Sequence, residues 1–444
     1  MEGNANRALM PVFITILILL SVPVLVYLKK YKVLLVYCLL SFYTDFFFIS
    51  FGDFSFWASG YITLWVILIE RKILIFGKDY LGKCLWIEWG VLFLVGYYFV
   101  IFAPWDDPYQ NYRTITQQLP LRTTVGLIRF LEVIFSYYLF VYLFKYYLKV
   151  EDLLRTIAGL VVFTFLFGCV DYLLLKGIVR NVLIPGHYAL DRFTGLSGEP
   201  RSIAQLYGIS IFVFLTIGLP LVKFRSSSLL GIVLCIVGIG LSFSATGIGY
   251  TSIAILIYGL FGKLKLKQAV ATLGIYIIGG LILLNLPQFV EHQTQRVQQV
   301  GLEETMTQIP GVPDFINRLE VFDKTTLAFL YFNPQYLLLG VGPNTINIPS
   351  GKYLSPVDEN IYGGQINTQP NTFLVNVISR SGLLGLIIIF SGIFSLYLAA
   401  KRKDEKNISN FVFLVSIYLI FYYSPLIFML YGTAGSLIKK AKDE

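Results

Sequence analysis

Apolar runs close to the length of a membrane-spanning helix recur along the whole chain. A bilayer core about 30 Å thick needs roughly 20 apolar residues in a helix, and this 444-residue chain is 56% hydrophobic and 14% charged. The first run, from Met10 to Leu28, is too long for a signal-peptide core and precedes no small-residue cleavage site. The sequence therefore predicts an all-α, polytopic transmembrane helical bundle.

Lysine-bearing breaks between the apolar runs give this bundle an orientation. They occur at 29–32, 71–83, 145–155, 223–225, 263–267, 401–406 and 439–442. Cytoplasmic loops are enriched in basic residues, so placing every break inside gives a consistent alternation of about 12–13 spans. The predicted spans are 8–28, 33–50, 54–70, 85–103, 124–144, 156–175, 202–222, 228–243, 247–262, 268–286 and 371–399, with two short helices meeting near Pro425 within 409–438.

Three segments follow from this topology. Residues 1–286 form the first ten spans, residues 287–370 form one large external (periplasmic) loop, and residues 371–444 hold the C-terminal spans and a cytoplasmic tail. The large loop has eight acidic and four basic residues, a net charge of −4. Helix-start residues at Pro313-Asp314, followed by apolar residues at roughly helical spacing, predict an amphipathic helix on the outer surface of the bundle.

The arginines run against the orientation rule. Ten of the 14 arginines fall on the external side, whereas 18 of the 21 lysines fall on the cytoplasmic side. Because the large loop is acidic, a bulk positive field does not place arginine there. A guanidinium grips phosphate or carboxylate oxygens two at a time, which an ammonium group cannot do. The external face is therefore predicted to bind an anion.

A glycine-containing turn before the span at 202 is the first candidate site. Arg192 and Arg201 bracket the turn, Gly195 and Gly198 permit close backbone approach, and Glu199 lies between the arginines. Arg201 also opens a helix whose N-terminal amides favour an anion. The alternative is a capped helix in which Glu199 only pairs with an arginine.

Further candidates lie around the end of the large loop. Arg318 precedes Gly340-Val-Gly342, which lacks the third glycine of a nucleotide fingerprint and predicts tight backbone packing instead. Asn371 is placed to cap the helix that enters the membrane. Arg380 lies two to three turns inside that helix, a depth at which charges face a cavity or a partner.

Buried charge and histidine supply the remaining candidates. Arg129 and Asp171 each lie about five residues below the external boundary of the 124–175 hairpin, so they predict either a salt bridge across two helices or a direct substrate role. His187 and His292 lie in external loops and could act as bases or be incidental. The four cysteines all lie in or at apolar spans, which leaves no disulfide framework and no metal-ligand spacing.

The order of these motifs resembles the O-antigen polymerase/ligase superfamily, which includes the Wzy-type polymerases of capsule, exopolysaccharide and O-antigen. The resemblance covers roughly residues 190–400. It is carried by Arg192-x-x-Gly195 with Gly198-Glu199-Pro200, by Arg318 and Phe322 with Gly340-x-Gly342, by Asn371-Thr-Phe-Leu with Gly382-Leu-Leu-Gly385, and by the serine-rich turn Ser242 to Gly247. The chain departs from the family at Ala245, where arginine is frequent, and at Gln369-Pro370, where ligases carry histidine.

The resemblance implies a multi-pass protein of the bacterial inner membrane with its active face external. Its substrates would be undecaprenyl-diphosphate-linked oligosaccharides, joined by inverting, metal-independent glycosyl transfer without a cofactor. A chain-length-regulating co-polymerase would be a partner besides the lipid bilayer. The net charge of +9 reflects cytoplasmic lysine and contact with anionic lipid, not nucleic acid. A glycan ligase is the alternative within the family, and a lipid-linked oligosaccharide flippase or transporter is the alternative from another class.

Residue roles follow from the same resemblance. The diphosphate would be held by Arg192, Arg201, Arg318 and Arg380, because charge grows on the departing diphosphate as the glycosidic bond breaks. Glu199 is the first candidate for the base and His187 the second. Arg129, Asp171 and Asn371 would support the site.

Overall fold

The protein is an all-α helical bundle, as the sequence predicts. The structure is a computed structural model that describes residues 9–44, 47–51, 54–70, 79–102, 118–174, 193–197, 199–242, 244–260, 308–354, 370–422 and 424–443. Predictions for the spans at 268–286 and for residues 287–307 and 355–369 of the large loop lie outside these residues.

The described residues contain fifteen α-helices and one short β-hairpin. Up to the large loop they are α1 (Leu9–Tyr27), α2 (Tyr31–Tyr43), β1 (Ile49–Phe51), β2 (Phe54–Phe56), α3 (Ala58–Glu70), α4 (Tyr80–Phe102), α5 (Leu119–Tyr146), α6 (Val150–Cys169), α7 (Pro200–Val213), α8 (Arg225–Leu241) and α9 (Ala245–Leu260). The others are α10 (Asp314–Asn317), α11 (Val321–Phe332), α12 (Asn347–Ser350), α13 (Phe373–Arg402), α14 (Lys406–Phe421) and α15 (Pro425–Asp443). Single π-turns, Val170–Leu174 and Phe214–Gly218, extend α6 and α7.

Length and hydropathy make this a multi-pass membrane protein. Within the described residues, six helical segments are long and apolar enough to cross a bilayer, and five shorter apolar helices accompany them. The six are Tyr80–Phe102, Leu119–Tyr146, Val150–Tyr172, Pro200–Gly218, Val222–Leu241 and Phe373–Arg402.

A β-hairpin replaces the end of the predicted span 33–50 and the start of the predicted span 54–70. Helix α2 stops at Tyr43, and Ile49–Phe51 pairs antiparallel with Phe54–Phe56. The hairpin lies against the bundle, since the Ser50 N–H donates to Thr15 Oγ1 at 2.9 Å. Alternation of apolar residues around a Gly-Asp pair is a hairpin signal, which the high apolar content of this region concealed.

Two predicted helical hairpins are confirmed. Helix α8 ends at Leu241, and the Ser244 hydroxyl accepts the Gly247 N–H at 3.2 Å, which caps the start of α9. Helix α14 ends at Phe421, and Pro425 begins α15, a position at which its missing N–H costs nothing.

The two ends of the bundle differ in their ion pairs. At one end, Lys32 bonds Asp152 at 2.9 Å and Lys439 lies 3.9 Å from Asp79. We call this the lysine end. The opposite end carries the starts of α5, α7, α9 and α13 and is called the arginine end. Residues 308–354, called the loop segment, pack against it.

The helix predicted to start at Pro313-Asp314 is divided into two helices in the loop segment. Helix α10 ends at Asn317, and Glu320 has extended backbone angles (φ −58°, ψ 146°) before α11 begins. Helix α11 buries apolar residues such as Phe329, but it also buries Asp323 and Lys324 and leaves Tyr331 exposed, so it does not separate apolar from polar residues as predicted. The break between the helices determines the contacts of Glu320 described below.

Candidate functional site

The turn before α7 is buried in the bundle. Phe193 is fully buried, and a Cβ atom at Gly168 of α6 would lie 2.5 Å from its ring. Gly195 has φ +58°, a left-handed conformation that favours glycine. A Cβ there would meet Ile203 and, at 3.4 Å, the Thr164 carbonyl oxygen. The close approach that Gly195 permits is therefore to the protein's own helices.

Glu199 and Arg201 stand at the first turn of α7. Glu199 has extended backbone angles at the N-cap position, and its exposed side chain makes no capping hydrogen bond. Arg201 Nη1 donates to both carboxylate oxygens of Glu320, each at 3.1 Å. The partner of Arg201 in this structure is therefore Glu320, in the loop segment, while the Glu199 carboxylate is open to solvent.

Arg318 lies two residues before Glu320. Its side chain is exposed, and its backbone N–H closes α10 by donating to the Asp314 carbonyl at 3.2 Å. The short helix is held from the other side by Asn317, whose Oδ1 accepts the Ile309 N–H at 2.9 Å. The Arg201–Glu320 pair thus brings the segment that carries Arg318 to the start of α7, and the shared anion site stays a prediction.

Asp323 fixes α11 to the start of α13. Its carboxylate Oδ1 accepts the backbone N–H groups of Asn371 at 2.8 Å and Thr372 at 3.3 Å, and the residue is only 2% exposed. Burial raises the pKa of the Asp323 carboxyl above its ordinary value, and the two amide hydrogen bonds oppose that shift. The predicted capping role of Asn371 is wrong: Thr372 holds the N-cap position without a side-chain cap, and Asp323 is the acceptor.

Tyr250 joins this cluster from α9. Its ring stacks on Phe421 with centroids 4.9 Å apart, and Arg201, Glu320 and Asp323 are close enough to act on its hydroxyl electrostatically. Sequence reasoning missed Tyr250. The only signal was its position one turn after the serine-rich turn that caps α9.

Arg380 lies in a different environment. Its guanidinium carbon is 5.1 Å from the centroid of the Phe130 ring on α5, and its charge acts on the fully buried Glu88 of α4. The neighbouring Ser381 hydroxyl donates to Glu88 at 2.5 Å. These contacts place Arg380 with α4 and α5, whereas the Arg201–Glu320 pair lies with α7 and α11. Its predicted place in the diphosphate site stays a prediction.

The Gly340-x-Gly342 motif packs backbone against backbone, as predicted. Helix α13 is broken at Gly382 (φ 68°, ψ −166°). At the break the Gly342 N–H donates to the Arg380 carbonyl at 2.9 Å, and the Leu383 N–H donates to the Leu337 carbonyl at 2.9 Å. A Cβ at Gly340 would lie 2.5 Å from the Arg380 carbonyl carbon. Only glycine fits this contact.

The next residues enter a notch between α4 and α5. A Cβ at Gly126 would lie 2.8 Å from Pro343. Asn344 Nδ2 donates to the Arg122 carbonyl at 3.2 Å, and Arg122 Nη2 donates to Asn347 Oδ1 at 2.8 Å. Arg122 is only 4% exposed. This arginine therefore ties the loop segment to the bundle, a role that its position in the sequence did not distinguish from that of Arg201.

The predicted Arg129–Asp171 ion pair is absent from those that join the described residues. Arg129 Nη2 lies 3.5 Å from Ser55 Oγ of the β-hairpin, and Asp171 is buried in the π-turn after α6. The reason is helix packing: α5 packs against α3, α4 and α15, whereas α6 packs against α2, α7 and α8. The two spans that carry Arg129 and Asp171 are adjacent in the sequence but pack against different helices.

Two predicted site residues, Arg192 and His187, lie outside the described residues, and their roles stay predictions. The chain matches no protein-family model and no curated protein sequence. The superfamily resemblance rests on the sequence motifs alone, and the function below is argued from the contacts of the described residues.

Proposed function

We propose that the chain is a glycosyltransferase that polymerises oligosaccharide repeat units linked to undecaprenyl diphosphate, by metal-independent inverting transfer on the external face of the bacterial inner membrane. The observation that carries the proposal is the pairing of Arg201 with Glu320. It joins the first turn of a buried helix to the loop segment, beside Arg318 and the exposed carboxylate of Glu199.

Glycosyl transfer from a diphosphate requires a fixed positive site next to a weak base. The acceptor hydroxyl oxygen attacks the anomeric carbon, and the bond from that carbon to the diphosphate oxygen breaks with its electron pair on the diphosphate. Arg201, Arg318 and the amides at the start of α7 would stabilise that charge, with Arg192 at the other end of the turn. Glu199 would accept the hydroxyl proton, and His187 is the alternative base.

The fixed attachment of the loop segment to α13 supports its proposed role in the anion site. Asp323 holds α11 on α13, and residues 337–342 pair with the broken α13 through backbone hydrogen bonds. Both attachments are independent of Arg201. A guanidinium held against a fixed scaffold stabilises developing charge without reorganising during the reaction.

The proposed substrates also suit the surroundings of the site. Two apolar spanning segments start beside the site, one near Arg201 and the other just after Thr372. A polyprenyl chain can therefore remain in the bilayer while its diphosphate reaches the arginine end. Growth of the glycan then takes place in water. A chain-length-regulating co-polymerase would act on the growing polymer.

A transporter of lipid-linked oligosaccharide is the competing proposal from another class. The observation that favours it is buried charge inside spanning helices, since Glu88 and Glu132 are buried in α4 and α5. Intramembrane carboxylates mark transport pathways and proton relays. A glycan ligase is the competing enzyme, and Gln369-Pro370 in place of the ligase histidine argues against it.

A deletion strain separates the three functions through its lipid-linked intermediates. Loss of a polymerase leaves single repeat units on the carrier at the external face of the membrane. In spheroplasts, an added glycosidase reaches these units directly. Loss of a ligase leaves polymer on the carrier. Loss of a transporter leaves single units that the glycosidase reaches only after the membrane is permeabilised. Either of the last two results overturns the proposal.

A further inference from the structure

The Arg201 guanidinium is already engaged by an anion of the protein itself. We propose that Glu320 is an internal occupant of the anion site, displaced by the donor diphosphate on binding and restored when the carrier diphosphate leaves. This inference rests on the proposed function, because it takes the ligand of Arg201 to be a diphosphate.

The geometry of the pair suits exchange. Both Glu320 oxygens contact the same nitrogen, Nη1, so the carboxylate does not form the two-pronged contact that makes an arginine–carboxylate pair strong. The side chains are 23% exposed for Arg201 and 52% exposed for Glu320. Solvent-exposed ion pairs contribute little to stability. A diphosphate brings more charge and more oxygens to the same guanidinium.

The backbone around Glu320 lets its side chain leave without moving α11. Glu320 stands at the N-cap of α11, where its carbonyl accepts the Lys324 N–H at 2.8 Å while its side chain makes no capping hydrogen bond. Asp323, one turn later, is buried and bound to the start of α13. The carboxylate can therefore rotate into solvent while Asp323 keeps the helix in place. No closure of a lid is needed.

The consequence for the reaction is uniform weakening of anion binding. Because Glu320 must be displaced, it weakens the binding of both the donor and the departing carrier diphosphate. Weaker donor binding raises KM, and weaker product binding speeds release of the leaving group. Glu320 is thus a positioning residue that keeps Arg201 ordered when no substrate is present.

Binding of farnesyl diphosphate to the purified full-length chain in nanodiscs tests this exchange. Glu320→Gln removes the competing charge and should tighten binding about two- to fivefold, the range expected for an exposed ion pair. Asp314→Asn is the matched control, because it removes one exposed acid from the same segment without touching Arg201. Arg201→Gln removes the charge for which Glu320 and the diphosphate compete, so it should weaken binding. Adding Glu320→Gln to it should give no more than the effect of Asp314→Asn.

The outcomes separate the two proposals. If Glu320→Gln tightens binding no more than Asp314→Asn, or weakens it, Glu320 is not a competitor and the inference is wrong. In that case the proposed function stands as long as Arg201→Gln weakens binding. If Arg201→Gln leaves binding unchanged, Arg201 does not hold the diphosphate, and the site of the proposed function is wrong as well.

Discussion

Asp323 and Asn371 connect the loop segment to the helix that follows it, through a 2.8 Å hydrogen bond from the Asn371 N–H to the buried carboxylate. Asp323 is also one helical turn from Glu320, the partner of Arg201. The helix that carries the candidate site is thereby held by the start of α13.

Removing this carboxylate should loosen the loop segment. Asp323→Ala leaves two N–H groups at the start of α13 without their acceptor, and loss of a cap costs about 0.5–2 kcal/mol. Asp323→Asn keeps a carbonyl oxygen at the same place and should retain most of the stability. Thermal unfolding of both variants in detergent checks the difference, and equal Tm values for the two would contradict the capping role.

The same residue predicts a pH dependence. Because burial raises the pKa of Asp323 in the folded protein, its contribution to stability is full below its ordinary value of about 4 and is lost as pH rises through the raised value. Asp323→Asn cannot ionise. The Tm of Asp323→Asn relative to the wild type should therefore increase from about pH 4 to pH 7. A difference that is constant over this range would show that the carboxyl titrates normally.

Replacing arginine by lysine at the candidate site should reduce polymerisation without unfolding. Arg201→Lys and Arg318→Lys keep the charge but lose the planar fork, and loss of a charge-assisted hydrogen bond corresponds to roughly tenfold or more in rate. Arg155→Lys, at the lysine end, is the control and should behave as wild type. Polymer length and amount in a complemented deletion strain give the measurement. Normal polymer from Arg318→Lys would remove Arg318 from the diphosphate site.

Glycine is required where the loop segment meets α13. Gly340→Ala forces a side chain onto a φ of +70° and against the Arg380 carbonyl, and strained positions of this kind cost about 1–3 kcal/mol before the clash is counted. Gly351→Ala is the matched control, because a Cβ there meets nothing within 4 Å. We expect a lower Tm for Gly340→Ala only. A normal Tm for it would mean that the two segments separate readily.

Glu199→Gln and His187→Ala distinguish the two candidate bases. Glu199→Gln preserves shape and a hydrogen bond while removing the proton acceptor, so polymerisation should fall sharply if Glu199 is the base. If Glu199→Gln is normal and His187→Ala is not, the role belongs to His187. Amounts of membrane-inserted protein, compared by immunoblot, exclude a folding defect in either variant.

Reporter fusions test the orientation. Fusions at four positions should report the cytoplasm: Lys30, Lys149, Lys265 and Arg402. Fusions at three other positions should report the outside: Gln117, Gly186 and Gly351. The reason is the distribution of lysine among the breaks. A cytoplasmic result at Gly351 would place the loop segment on the wrong side for external chemistry.

Periodic features of this fold could be predicted from the sequence. Hydropathy gives the spanning helices, and local chemistry gives the turns at Ser244 and Pro425, because a cap or a proline acts on its own neighbours. The β-hairpin was missed because each of its strands has only three residues in a region of high apolar content. Such short strands leave too few alternations to outweigh hydropathy.

Partners distant in the sequence could not be predicted. Arg122, Arg129 and Arg201 have the same chemistry on the same side of the bundle, yet Arg122 is buried against Asn347, Arg129 lies on the hairpin and Arg201 pairs with Glu320. Which arginine serves structure and which faces solvent depends on helix packing. No pattern within the span of a single helix encodes it.

The notch between α4 and α5 has a consequence for the order of assembly. Gly126 precedes Pro343 by 217 residues, so at about 5–20 residues per second the ribosome needs on the order of 10–40 s to supply the residues that fill the notch. During that interval α4 and α5 stand in the membrane with their mutual contact incomplete at one end. Quality-control proteases would therefore meet every nascent copy in this state, and a chain truncated before Pro343 would remain in it.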